Sequence, residues 1–542
     1  MNEMETSAAS SPTSLPTSSP TSSPMSSPTS SPTSSPAVLA LVAAARRASR
    51  LGLLRVLALM VWRPLAAWLA SKLLLGGKGA RRAVATLPVY VAFCAPRLAF
   101  RLARLLLRTL CGVRLVLAPV GRRVDAGVYC QKGGRASVLA AAAGLNELQA
   151  RYWSPMLNGD WSSVLPTVSH MVRRQANAMP STSTTTPGRR VLMPSSVGAD
   201  GDKFATDWMF PVRKRKGGGV CVLFAGIGGD SSSGYVQDVS QAFLDDGWTT
   251  CCINARGMKS SPRVHRLENI FNPYDSADLE TVLDYILGDG GGGGDKEALR
   301  AGELDLDSNK VDPDTTAGGP DDGHHHHHLH KNDSVDIILV GFSLGAISLG
   351  KYMTSKGPLV PRNVRAAIMF SGAFSMEFAE WWRYREVFQP MIVPELVCDF
   401  GETYGANLER KFSKEQLLKA GSASSYRALV SDLLLPAMKK SDPGQDEDAL
   451  PASYEAFQDL GKSSSADRGR IARPTLLVTA IDDPLHNPEM LGFSTNDPVE
   501  SPDLLYMITE EGGHVGWPTD VGGGSAFMRK TALSFAKAAA CE

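Results

Sequence analysis

Residues 335–351 read VDIILVGFSLGAISLGK: an apolar, β-rich run, one serine between two glycines, then small and apolar residues that read as a helix. No other stretch limits the fold as tightly. A chain that buries a strand, turns sharply and starts a helix needs glycines beside the turn, because Cβ atoms there would collide as strand and helix converge. G-x-S-x-G in that setting is a nucleophile elbow, with the serine hydroxyl carried on a strained turn. The helix beginning at Leu344 also aims a backbone N–H at any oxyanion forming beside Ser343.

The rest of the chain supplies a sheet for that strand. VCVLFAG (220–226), TTCCINARG (249–257), VRAAIMFSG (364–372), PTLLVTA (474–480) and LLYMITE (504–510) are further short apolar runs, most of them separated by helical stretches. Continuous apolar strands alternating with helices predict a mostly parallel central sheet with helices on both faces. Residues 373–470 predict a mostly helical block, with Trp381 and Trp382, where an α/β enzyme carries a cap. Cys251 and Cys252 lie in an apolar run and are expected to pack as small hydrophobes. None of the eight cysteines sits in a CxxC, which favours a reduced, intracellular setting over a disulfide framework.

A nucleophilic serine needs a base and an orienting acid. Of ten histidines, six fall in a tract at 324–330, leaving His170, His265, His486 and His514. His514 follows the last strand and is flanked by glycines that let an imidazole reach inward. TAIDDPL places Asp482 and Asp483 directly after the preceding strand; Asp483, which precedes Pro484, is preferred and Asp482 is the alternative. The order Ser343, Asp483, His514 is that of the α/β-hydrolases. A second oxyanion donor is expected from LFAGIGGDSSSGY (223–235), at the amide of Ile227, alongside that of Leu344. That loop lacks GK[ST] and G-x-G-x-x-G, so it does not read as a phosphate cradle.

The net charge of +1 hides an asymmetry: residues 6–124 hold sixteen Lys and Arg and no acid, so the remainder is acidic. An acidic body argues against a nucleic-acid partner. Residues 1–36 repeat SSPTSSP and predict a disordered tail, or alternatively part of a transit peptide. Residues 37–124 predict a basic, apolar, helical segment that anchors or targets the chain. Arg97, Arg101, Arg104 and Arg108 recur along one helical face, as on a helix lying in an anionic membrane surface; a helical hairpin packed on the body is the alternative. Residues 125–541 are left as the catalytic domain, interrupted at 288–333 by an acidic, glycine-rich insertion with five consecutive histidines. Consecutive histidines on a loop build no fixed ligand geometry, so no metal is assigned there.

Taken together, AGIGGDSSSGYV, INARGMKSSP, NPYDSADL, VGFSLGAISLGKYM, TAIDDPLHNP and EGGHVGW resemble the YheT-like branch of the α/β-hydrolases, as do RYWSPMLNGDWSSVLPTV and FATDW before them. That branch includes α/β-hydrolase-domain lipases of animals, embryogenesis-associated proteins of plants and medium-chain ethyl-ester synthases of yeast. The resemblance spans roughly residues 150–540. It implies an α/β-hydrolase fold, often with a membrane anchor, acting on acyl esters of lipids, with nucleophile, acid and base at Ser343, Asp483 and His514 and the oxyanion loop at Gly226-Ile227. The chain departs from the branch at Ala225, where histidine is usual, and at Ala346, where glycine is usual.

The expectation is a cofactor-free serine carboxylesterase or lipase, membrane-associated and intracellular, acting on medium- to long-chain acylglycerol or phospholipid-like esters through an acyl-enzyme. An acyltransferase on the same three residues and a non-catalytic membrane-bound scaffold are the competing readings.

Overall fold

A computed structural model describes residues 125–152, 188–196, 201–288, 335–374, 389–438, 451–486, 498–519 and 525–542, apart from 216–217 and 259, together with residues 40, 42–43, 154 and 491. The expectations for the tail, for nearly all of 37–124, for the His-rich insertion and for Trp381 and Trp382 fall outside those residues. Among the described residues no helix is long and apolar enough to cross a membrane.

The strand before Ser343 lies inside a nine-stranded sheet. In chain order the strands are β1 (Gly127–Cys130), β2 (Gly188–Pro194), β3 (Lys203–Met209), β4 (Val220–Phe224), β5 (Thr249–Ile253), β6 (Ile337–Phe342), β7 (Val364–Phe370), β8 (Thr475–Ala480) and β9 (Leu504–Thr509). Their spatial order is β1-β9-β8-β7-β6-β4-β5-β3-β2. From β5 through β9 neighbours run parallel, while β3, β2 and β1 are antiparallel at the two edges. This sheet, with the Ser343 turn at the end of its middle strand, is the α/β-hydrolase fold.

Continuous apolar runs form these strands because both faces are covered. Every residue of β6, β8 and β9 is buried. Along β6, Ile338, Val340 and Phe342 enter one core while Ile337 and Leu339 enter the opposite one, the two-residue period of a strand. The first core is closed by α1 (Arg135–Ala142), α2 (Leu145–Arg151), α3 (Gly234–Asp245) and a long C-terminal helix, Ala526–Cys541; the second by α4 (Ala277–Leu287) and α5 (Leu344–Lys356). At about 1.5–3 kcal/mol for each large side chain buried, these two layers are the main stabilising term. Cys251 and Cys252 are fully buried, on opposite faces of β5.

Between β7 and β8 the described chain is helical: α6 (Gln389–Lys411), α7 (Lys414–Gly421), turns from Tyr426 to Met438, and Tyr454–Leu460 and Ser465–Gly469. Ser413 caps α7 reciprocally with Gln416. Val393, Val397, Phe400, Tyr404 and Leu408 of α6 form a third apolar cluster with Val264, Leu267 and Ile270, and Ile227 and Leu344 pack against it. This helical layer therefore sits over the two positions expected to donate to an oxyanion.

Candidate active site

The turn at Ser343 is dictated by sterics. Ser343 has φ 51° and ψ −118°, a backbone conformation costing of the order of 1–3 kcal/mol. A Cβ on Gly341 would stand 2.7–2.8 Å from the backbone of Gly345 and Ala346, and one on Gly345 would stand 2.5–2.6 Å from the carbonyl oxygens of Ala225 and Phe224. Both positions thus accept only glycine. The amide of Ser343 donates to the Phe370 carbonyl at 2.9 Å, and the amide of Ile347 donates to the Ser343 carbonyl at 3.0 Å. The hydroxyl is left to project from the C-terminal edge of the sheet.

The loop after β9 brings His514 to that hydroxyl, with Nε2 2.7 Å from Ser343 Oγ. Gly513 at φ 65°, Val515 at φ 50° and Trp517 at φ 38° fold the loop tightly. Hydrogen bonds pin it: the Trp517 amide donates to the Gly512 carbonyl at 2.8 Å, Trp517 Nε1 to Thr509 Oγ1 at 2.9 Å, and the Val515 amide to Ser371 Oγ at 2.9 Å. A Cβ on Gly512 would lie 2.5 Å from Trp517 Nε1, so that position too is reserved for glycine.

The two aspartates after β8 separate in function. Asp483 Oδ2 and Oδ1 lie 3.0 and 3.2 Å from His514 Nδ1. Asp483 Oδ1 also accepts from the amides of Leu485 (2.8 Å) and His486 (2.9 Å). Burial works to raise the Asp483 carboxyl, but His514, His486 and these hydrogen bonds outweigh it and hold the group below the usual carboxylate range. Asp482 reaches the same loop one residue earlier and accepts from the Gly513 amide at 2.9 Å. Burial, with the nearby Glu511 and Asp483 charges, pushes Asp482 up to about 7 against the pull of the Gly513 and Gly512 amides. Asp482 therefore caps the loop that carries His514 without touching its ring.

Of the expected oxyanion donors, the structure puts the Gly226-Ile227 loop beside the nucleophile: a Cβ on Gly226 would stand 3.1 Å from Ser343 Cβ. Among the described residues, the amides of Ile227 and Leu344 make no hydrogen bond. Tyr235 fixes the loop by accepting from the Gly226 amide at 3.1 Å. Beyond the loop, Asp230 accepts from Ser232 and from Ser260, and Asn254 joins Ser231 to Asp207. A cavity of about 60 Å³ opens here, between the glycine-rich loop, the start of α5, Met258, Phe271 and Asp399 of α6.

One residue that sequence reasoning set aside stands in the site. His486 was a rival for the base; its ring is 1% exposed and packs edge-on against His514, with centroids 5.0 Å apart and planes at 81°. Burial and the His514 charge push it down to about 3, so it is a neutral imidazole at ordinary pH. The spacing in DDPLH was the available signal, since a tight turn at Asp483 returns the residue three positions on to the same place.

No family model and no curated protein matches the chain. Among solved structures it is similar to an esterase from Pyrococcus furiosus, Pf2001, at 12% identity over 61% of this chain and 85% of that one, with a TM-score of 0.32. It is also similar to the carboxylesterase CesB (YbfK) from Bacillus subtilis, at 12% identity, 69% and 98% coverage and a TM-score of 0.34. A third is a hyperthermophilic esterase from Pyrobaculum calidifontis, at 12% identity, 69% and 92% coverage and a TM-score of 0.36. The strand order itself makes the chain an α/β-hydrolase-fold protein.

Proposed function

We propose that the chain is a serine carboxylesterase of lipase type, of the YheT-like branch that its motifs resemble. The observation that carries this is the continuous relay Ser343 Oγ to His514 Nε2 at 2.7 Å and His514 Nδ1 to Asp483 Oδ2 at 3.0 Å. His514 takes the Ser343 proton as Oγ attacks the ester carbonyl, and Asp483 holds the ring in the tautomer that leaves Nε2 free to accept. The amides of Ile227 and Leu344 receive the oxyanion. The alcohol departs with the proton from His514, and water, activated by the same histidine, releases the acid and frees Ser343.

Acyl esters of lipids are the proposed substrates, since Ile227, Leu344, Met258 and Phe271 give the cavity apolar walls. Contact of residues 37–124 with a membrane surface is part of the same proposal and is supported by their acid-free, arginine-bearing sequence. Fluorophosphonate labelling and p-nitrophenyl ester turnover of wild type and Ser343→Ala test the chemistry. Ser343→Ala is expected to lose labelling and about 10⁵-fold or more in kcat; equal signals in both proteins end the proposal. Fractionation with and without residues 1–124 tests the anchor, and a shortened protein that still pellets with membranes refutes it.

A further inference from the structure

The relay uses one face of His514 and one edge of Asp483. His486, the third member of this cluster, has no part in it. One ligand atom from each of Asp483, His486 and His514 lies within 4.8 Å of the other two. A carboxylate and two imidazoles form the donor set that suits zinc, which binds histidine nitrogen at about 2.0–2.1 Å and carboxylate oxygen at about 2.0–2.2 Å with a fourth position open. Three ligands on one such ion stand about 3.4 Å apart, so a separation of 4.8 Å has to close by about 1.4 Å for all three to bind.

We propose that Asp483, His486 and His514 form an inhibitory site for a borderline-soft divalent cation, with Zn²⁺ as the probe. The chemistry follows from the proton on His514. In the resting relay Nδ1 faces the Asp483 carboxylate and Nε2 faces the Ser343 hydroxyl. A cation seated among the three takes the Nδ1 lone pair and the Asp483 oxygen. The single ring proton of the neutral imidazole then resides on Nε2. No bond of the protein is broken and no redox change occurs; the proton moves from one ring nitrogen to the other through solvent. With Nε2 protonated, His514 can no longer accept the proton of Ser343, and the nucleophile is not activated. The same turn that ties Asp483 to the amides of Leu485 and His486 fixes His486 beside the other two ligands.

The inhibitory consequence rests on the reading of Ser343 and His514 given above; cation binding does not, and the experiment separates them. Any zinc taken up elsewhere on the chain, the histidine tract at 324–330 included, is common to every protein compared. Wild type and His486→Phe are titrated with ZnCl₂, each normalised to its own metal-free ester turnover and fluorophosphonate labelling rate. Wild type is expected to lose both, reversibly on chelation. The half-inhibiting concentration should rise at least about tenfold in His486→Phe, since loss of even an outer-shell partner typically weakens a metal site about 10–100-fold. Superimposable inhibition curves, or a wild type indifferent to zinc, overturn the proposal. His486→Gln repeats the comparison should the phenylalanine chain fail to fold. Calorimetric titration of Ser343→Ala against Ser343→Ala/His486→Phe reads binding without activity: one fewer tight Zn²⁺ in the double variant supports the site, and equal stoichiometry and affinity refute it.

Discussion

Two turns meet at the end of the sheet, and they are built on different principles. The turn at Ser343 is held by exclusion, because Gly341 and Gly345 leave no room for any side chain and the backbone has one path to follow. The loops bearing Asp483 and His514 are held by polar contacts: two amides on Asp483, the Gly513 amide on Asp482 and the Val515 amide on Ser371. A steric turn is insensitive to pH and intolerant of substitution. A hydrogen-bonded loop responds to charge and tolerates isosteres at its polar positions, though Gly512 is as restricted as the elbow glycines. The nucleophile thus stands on the part that cannot be tuned, and the groups that move protons stand on the part that can.

The sharpest test of that contrast is Asp483→Asn, which preserves shape and removes the charge that fixes the His514 tautomer. We expect kcat to fall about 10⁴-fold, near 5.5 kcal/mol, with fluorophosphonate labelling slowed to match and the melting temperature little changed. Retention of activity would mean that Asp483 does not orient the base. Next in size is Gly341→Ala, which places a methyl 2.7 Å from the backbone of α5. It should cost about 3 kcal/mol of stability, measured by denaturant unfolding, or leave the protein unfolded; a variant as stable as wild type would show that the elbow is not steric. The smallest effect belongs to Asp482→Asn, in which the amide oxygen still accepts from Gly513. The Asp482 carboxyl is raised to about 7, so its contribution to stability is fully present below its unfolded value near 4 and is lost as pH rises through 7. The melting temperature of wild type should therefore fall relative to Asp482→Asn between pH 5 and pH 8, by roughly a few °C. A wild-type melting temperature that rises relative to Asp482→Asn over that range would reverse the assigned sign.

How far the sequence discloses this site depends on what each part is made of. The elbow is legible because its constraint is steric and local, so glycines at fixed offsets from one serine mark it. The buried strands β4 to β9 are legible as apolar runs. The edges are not: β1 has four residues, and β2 reads GRRVLMP, with arginines on a strand that is largely exposed. FATDW, within β3, was visible only as a family motif. On paper Asp483 is preferred to Asp482 only because it precedes Pro484; it is the contacts of the folded loops, Asp483 on the His514 ring and Asp482 on the Gly513 amide, that separate their roles. The position of His486 in the chain does not disclose its place against His514, which arises from the turn at Asp483.

β1 has a practical consequence for anyone shortening this protein. It runs antiparallel along β9, pairing Gly127 with Ile508 through Cys130 with Leu505, while Gln149 of α2 donates to the Ile508 carbonyl at 2.9 Å. A cut before Asp125 would leave this border intact. A cut at residue 131 would strip one flank of the strand that leads to His514, baring its N–H and C=O groups to any other extended chain. The second shortened protein should clump and lose turnover together, even though every side chain of the relay would still be encoded.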